Sequence, residues 1–229
     1  MSKSEFDCIF NSPQAALAHI DFFCIQFTDA TEEARFYFNT LIKFIKSQEQ
    51  KEVQHLESVA EKVPDHQKDE FWENHYPVHW KDIFEENLKA SFVVSLLSTL
   101  ESYLRHICQI SHNGKSKKLD EYKKMSFPKK THSYLKENMS VDISSLDWDT
   151  IYSLWRIRNI IAHNEGFCSE ERDKIILEQF ATITDGISIS NSCIKIDPAF
   201  CKRALSTIRK FGIDIGRLIR DDLIKRLEN

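Results

Sequence analysis

The stretch Ser91-Phe92-Val93-Val94-Ser95-Leu96-Leu97-Ser98-Thr99-Leu100-Glu101-Ser102-Tyr103-Leu104-Arg105 decides the fold class. Leu88, Phe92, Leu96, Leu100 and Leu104 recur at every fourth position, with Val93, Leu97 and Ile107 beside them, so the apolar side chains form one stripe on a helix. The spacing predicts a helix from Asp82 to about Ser111, ended by Asn113-Gly114. One carboxylate, Glu101, lies beside the stripe, where an unpaired charge would be costly to bury. Either it pairs with Arg158 or Arg156 from a later helix, or it sits at the helix flank in water.

Towards the N-terminus, Ser12 before Pro13 starts a helix that carries Ala16, Ile20, Phe23 and Phe27 and is expected to end near Thr28-Asp29. A second is expected from Thr31, with Ala34, Phe38, Leu41 and Ile45 on one side and Val53, Leu56 and Ala60 after a charged stretch, stopping by Pro64. The polar middle, Lys46 to Glu52, breaks any heptad and is expected to project into solvent. From Asp65 to Trp80 the chain reads as an irregular aromatic loop packed by Trp72, Tyr76 and Trp80. Its histidine pair, His75 and His79, is a poor metal site, because Pro77 precludes the helical spacing such a pair needs and no carboxylate stands at the expected offset.

Towards the C-terminus, Lys115, Lys117, Lys118, Lys123, Lys124, Lys129 and Lys130 crowd against only Asp120 and Glu121. Such a run is either plain solvated surface or a local anion patch, to which Phe127 and Tyr134 would add stacking platforms for unpaired bases. Asp147 or Asp149 caps a helix with Ile151, Leu154, Trp155 and Ile161 as its buried stripe and Gly166 as its left-handed end. A short helix, Glu170 to Ala181, precedes Ile187 to Ile196, whose alternation around Asn191-Ser192 predicts a hairpin. Asp197-Pro198 opens a last helix running to about Leu227. Within it, Gly212-x-x-x-Gly216 has charged neighbours and reads as close helix packing rather than a membrane dimer face.

These elements make an all-α chain with a small β-hairpin near its C-terminus. Five Gly and five Pro, about 2% each against averages of about 7% and 5%, suit a helical protein with few tight turns. Sixteen Phe and four Trp supply one core, in which residues 1–75 are an N-terminal helical extension packed on a helical domain of residues 76–229. Cys8, Cys24, Cys108, Cys168, Cys193 and Cys201 form no CxxC pair and read as reduced, buried thiols. No secretory signal or membrane-spanning run is evident, so a cytoplasmic location is expected and the sequon Asn138-Met139-Ser140 has no consequence. With a net charge of −4 and a pI near 6.1, nucleic acid would have to be held by a local patch.

The polar content of the later helix points to chemistry. In Leu154-Trp155-Arg156-Ile157-Arg158-Asn159-Ile160-Ile161-Ala162-His163-Asn164-Glu165-Gly166, Arg158 offers a fork that fits phosphate oxygens, His163 passes protons near neutral pH and Asn159 both donates and accepts. On a straight helix Arg158 and His163 are about 140° and roughly 7.5 Å apart, while Asn159 and His163 share a face. The competing reading is that Arg158 and His163 are simply cations favoured near a helix C-terminus.

Arg158-Asn159-x-x-x-His163 resembles the signature of the HEPN superfamily, in which Arg, often followed by a polar residue, precedes His by four to six intervening positions. The acidic residue Glu101 in the apolar helix above is similar to that of the first core helix in many members, and the resemblance runs from about Tyr76 to Leu227. It implies a helical bundle acting as a metal-independent endoribonuclease without cofactor. In it Arg158, Asn159 and His163 are catalytic, Glu101 and Arg156 support them, RNA is the substrate, and a homodimer forms through the motif helices. It further implies a role in a toxin–antitoxin pair or in phage defence, with a neutralising partner; silencing by nucleotidyl transfer to a Tyr two residues after the motif His is not expected, because that position is Glu165. The rival expectations are a non-catalytic nucleotide- or protein-binding module of the same bundle and a purely structural helical protein.

Overall fold

Nothing between Gln14 and Ala60 is Gly or Pro, and the apolar residues from Ala16 to Ile45 hold helical spacing throughout. In the computed structural model, which describes residues 13–111, 117–139, 142–164, 166–168 and 170–228, this segment is a single helix, α1, Pro13–Ala60. The break expected near Thr28-Asp29 does not occur. Thr28 donates its hydroxyl to the Cys24 carbonyl at 2.8 Å and Thr31 donates to the Thr28 carbonyl at 2.8 Å, so both satisfy themselves on the helix instead of capping a new one. Lys46, Ser47, Gln50 and Lys51 face solvent, as their charge pattern predicts. Glu52 is half-buried and accepts the Trp80 indole N–H at 2.6 Å.

The aromatic segment after Pro64 is more regular than expected. A 3₁₀ turn, Asp65–Gln67, leads into helix α2, Lys68–His75, which has Asp69 and Glu70 in its first turn, where carboxylates suit the N-terminal dipole. His75 packs on Phe71, and His79 lies 3.6 Å from Glu52, so the two imidazoles are engaged separately. A π-helical stretch, Trp80–Glu85, runs directly into α3, Glu86–Ser111, the expected amphipathic helix.

α3 forms the centre. Its buried stripe of Phe92, Val93, Leu96, Leu97, Leu100, Leu104 and Ile107 packs against α1, against α4 (Phe127–Asn138), against α5 (Trp148–Asn164) and against the last helix, α7 (Pro198–Glu228). α1 contributes Ala16, Ile20, Phe27 and Phe38 to the same core. Between α5 and α7 come α6, Glu171–Ile183, and an antiparallel hairpin of β1, Ile187–Ser190, and β2, Cys193–Ile196, with Ile187 opposite Ile196. The hairpin turns at Asn191 and Ser192, both with positive φ (51° and 62°), the backbone that a two-residue loop requires.

α1 and α7 lie antiparallel, as the pairs Asp21–Arg220 and Glu32–Arg209 show. They approach closely at the two glycines of α7. A Cβ at Gly212 would meet the Phe27 ring at 2.1 Å, and one at Gly216 would meet Cys24 Sγ and Tyr103 Oη at 2.5 Å. The glycines therefore serve helix packing, as their charged surroundings suggested. Cys24, Cys108, Cys168, Cys193 and Cys201 are free, and burial pushes the Cys201 thiol up to about 12. Cys8, Ser12, Asn113-Gly114, Lys115, Ser140 and Glu165 lie outside the described residues. No helix among the described residues is long and apolar enough to cross a membrane.

Candidate functional site

α5 is set in place from both ends. At its start Asp147 accepts the Thr150 backbone N–H at 3.1 Å, which makes Asp147 the capping residue of the two considered. Trp148 donates its indole N–H to the Ile143 carbonyl, stacks on His132 and meets Phe211 of α7 edge-on. Ile151, Leu154, Trp155, Ile157 and Ile160 are buried; Ile161, expected in the stripe, is only half-buried. At its end Gly166 takes a φ of 82°, and its N–H reaches back to the Ile160 carbonyl at 3.1 Å.

The hairpin fixes this end further. The Ile194 N–H donates to the Gly166 carbonyl at 2.9 Å, and the Cys168 N–H donates to the Ser192 carbonyl at 2.7 Å. Phe167 thereby bridges to Cys193 beside the hairpin turn. Sequence reading placed the hairpin but did not connect it to the motif helix. The available signal was the apolar pair Phe167-Cys168 directly after the terminating glycine.

The two motif arginines have different partners. Arg156 binds Asp173 of α6 through both its Nε and an Nη, a fork that ties α5 to α6. Arg158 pairs with no carboxylate among the described residues. Its guanidinium lies 5.1 Å from the centre of the Trp155 ring, Nη1 donates to Asn159 Oδ1 at 3.0 Å, and Nε is shut from solvent without a hydrogen-bond partner. Arg158 is half-buried, whereas His163 is exposed in the last turn. The helix continues through Asn164, so His163 stays about 140° around the axis from Arg158. Asn159 stands between them: its side-chain carbonyl holds Arg158, and its neighbour four residues on is His163.

Glu101 is not a partner of either motif arginine. It accepts from Arg105 Nη2 at 2.7 Å and Nε at 3.2 Å, four residues along its own helix, a contact that needs no reach between helices. Arg105 in turn lies over the Phe127 ring at 4.7 Å. The expectation that Glu101 anchors the motif helix is therefore corrected, and Asp173 takes that part for Arg156.

Lys117, Lys118, Lys123, Lys124 and Lys129 are exposed and Lys130 is half-buried, so this segment does present positive charge. Lys129 Nζ lies 5.9 Å from the centre of the Tyr152 ring on α5, which brings one of the lysines to the motif helix. The stacking platforms expected beside them are not available. Phe127 and Tyr134 are buried, Phe127 against Trp155 and Tyr134 donating its hydroxyl to the Cys108 carbonyl at 2.7 Å. Both supply core contacts at helical spacing within α4.

His132 was not foreseen. Its Nδ1 lies 2.6 Å from the Tyr152 hydroxyl and its ring stacks on Trp148 at 4.5 Å. Burial foremost, with Lys136 adding to it and Asp149 opposing, holds this imidazole below its ordinary value. Compared with family models, curated proteins and solved structures, the chain finds no match.

Proposed function

We propose that the chain is a metal-independent endoribonuclease of the HEPN type. The observation that carries this reading is Arg158, a half-buried guanidinium left without a carboxylate among the described residues, on the same helix as the exposed imidazole of His163. An arginine kept only for structure would be expected to end like Arg156, in a fork on an acid. The 2′-hydroxyl of RNA attacks its own phosphate, the bond to the 5′-oxygen of the next nucleotide breaks, and a 2′,3′-cyclic phosphate and a 5′-hydroxyl result. His163 moves a proton to or from the sugar oxygens, which is worth roughly 10²- to 10⁴-fold in rate. Arg158 neutralises the charge that builds on the phosphorane, and Asn159 positions Arg158 through the hydrogen bond between them. DNA lacks the attacking hydroxyl and is not cut.

A homodimer through the motif helices belongs to the same proposal. Arg158 and His163 diverge around one helix, and two copies facing each other would let the arginine of one serve beside the histidine of the other. A nuclease of this kind harms its own cell, so the proposal includes a toxin or phage-defence role with a neutralising partner. The divergence also favours a second reading, a non-catalytic module that holds a nucleotide or a partner protein on Arg158 alone.

The test is incubation of labelled RNA with the purified chain in EDTA, beside Arg158→Ala and His163→Ala. Cleavage that persists in EDTA and disappears in both variants supports the nuclease. An inactive parent that still binds RNA or nucleotide, and loses that binding with Arg158→Ala, supports the module. Growth arrest on expression, relieved by His163→Ala, is an independent check.

A further inference from the structure

A second cationic feature lies away from α5, in a cleft of about 720 Å³ between α1 and α7. Arg35 enters from α1; Lys202, Arg209, Lys210 and Arg217 enter from α7. Only two carboxylates oppose them, and each is shared. Glu32 pairs with both Arg35 and Arg209, and Asp214 lies 2.5 Å from Lys210 and 3.8 Å from Arg217. Lys202 has no ion pair among the described residues, so the cleft keeps a surplus of three positive charges in a chain whose net charge is −4.

The surplus gives the cleft a positive field that attracts an anion from solvent. Arg35, Lys210 and Arg217 line the cleft with side chains that are 58%, 80% and 75% exposed, so an anion can reach them from solvent. Arg209 Nε, by contrast, is shut from solvent with no hydrogen-bond partner, a donor left unused in the wall. Asn39 adds a neutral donor. From Lys202 to Arg217 the α7 cations spread along about 22 Å of helix, longer than the phosphates of one nucleotide and matched to the backbone of several consecutive ones.

We propose that this cleft binds the phosphodiester backbone of single-stranded nucleic acid. Charge at intervals, rather than an aromatic platform, lines it, so binding is governed by phosphate contacts and tolerates any base sequence. The proposal does not rest on the ribonuclease reading, because backbone phosphates are common to RNA and DNA.

The test is fluorescence anisotropy of a labelled single-stranded DNA, which has no 2′-hydroxyl and cannot be cut by the proposed chemistry, and of the same sequence as RNA with His163→Ala protein. Lys202→Gln/Lys210→Gln/Arg217→Gln is expected to weaken both by at least about tenfold and to reduce the slope of log affinity against log salt by about 2, at roughly 0.7 per lost contact. Asp214→Asn, which removes an opposing charge, is expected to tighten both; circular dichroism confirms that each variant is folded. Lys117→Gln/Lys123→Gln/Lys124→Gln, on the other lysine-rich segment, is expected to have the smaller effect. Unchanged affinity and slope in the α7 triple variant overturn the proposal, as does displacement of the strand by free triphosphate at equal phosphate concentration. A parent protein that binds the strand through the cleft but cuts no RNA would count against the nuclease and leave the cleft standing.

Discussion

Gly212→Ala tests how tightly α7 is seated on α1. The added methyl would sit 2.1 Å from Phe27 Cε1 and 2.6 Å from Cζ, whereas carbon atoms rest at about 3.5–4.0 Å, so a displacement of more than about 1 Å is needed. Phe27 is 3% exposed and stacked on Tyr103 with ring centres 4.4 Å apart, which leaves it nowhere to go without opening α1 from α3. Overpacking of this kind costs about 1–3 kcal/mol, with this clash at the upper end, and the better helix propensity of Ala returns about 1 kcal/mol. The net loss is about 1–2 kcal/mol, a fall in Tm of roughly 2–8 °C for a chain of this size. Calorimetry of the variant reads it directly, and Gly212→Ala/Phe27→Leu should recover part of the loss, because the smaller side chain makes room. An unchanged or raised Tm for Gly212→Ala would refute the close approach of the two helices.

Three further outcomes follow from the same contacts. Arg156→Met breaks the fork to Asp173 and leaves a mostly buried carboxylate unpaired, so it should cost about 1–3 kcal/mol in denaturant unfolding, and Arg156→Met/Asp173→Leu should restore part of it; equal stability of parent and single variant would remove the α5–α6 tie. His132 is held below its ordinary value in the folded chain, so below about pH 6.5 the unfolded chain binds the extra proton; stability from this group is present above that pH and lost as pH falls. Urea midpoints from pH 7.5 to 5.5 should therefore fall more steeply for the parent than for His132→Gln, and parallel curves would contradict the assignment. Asn159→Ala frees Arg158 Nη1 and should lower RNA cleavage by about tenfold with little change in RNA affinity, the pattern of an interaction that matters in the transition state; a matched loss of affinity would place Asn159 on the ground-state ligand instead.

The elements legible in the sequence were those decided by local chemistry. The α3 stripe follows from spacing alone. The turn at Asn191-Ser192 and the end at Gly166 follow from backbone conformations that few residues adopt, and the α5 cap from one carboxylate placed before it. Where a local signal had two outcomes, the packing chose. Thr28 and Thr31 can cap a helix or bond back to it, and in a helix whose two sides are held by α3 and α7 they bond back. Phe127 and Tyr134 beside lysines read equally as platforms or core, and the helical spacing of α4 turns both inward. Partner choice across helices was not legible at all. Nothing in the chain order says that Asp173 meets Arg156, because that pairing depends on how α5 and α6 are docked, whereas Glu101 and Arg105, four apart on α3, were within reach of a local reading. The α1–α7 cleft was hidden for the same reason, the charge from α1, Arg35, lying more than 150 positions before those from α7.

The chemistry proposed for Arg158 and His163 requires a ribose hydroxyl next to the phosphate that is cut. A labelled oligodeoxynucleotide carrying one ribose tests this most directly, with EDTA present and the products resolved by their end groups. The account predicts a single cut on the 3′ side of that ribose, leaving a 2′,3′-cyclic phosphate, and none when the hydroxyl is methylated or when His163 is replaced by Ala. Cutting at deoxyribose positions, or cutting that survives His163→Ala, would contradict it.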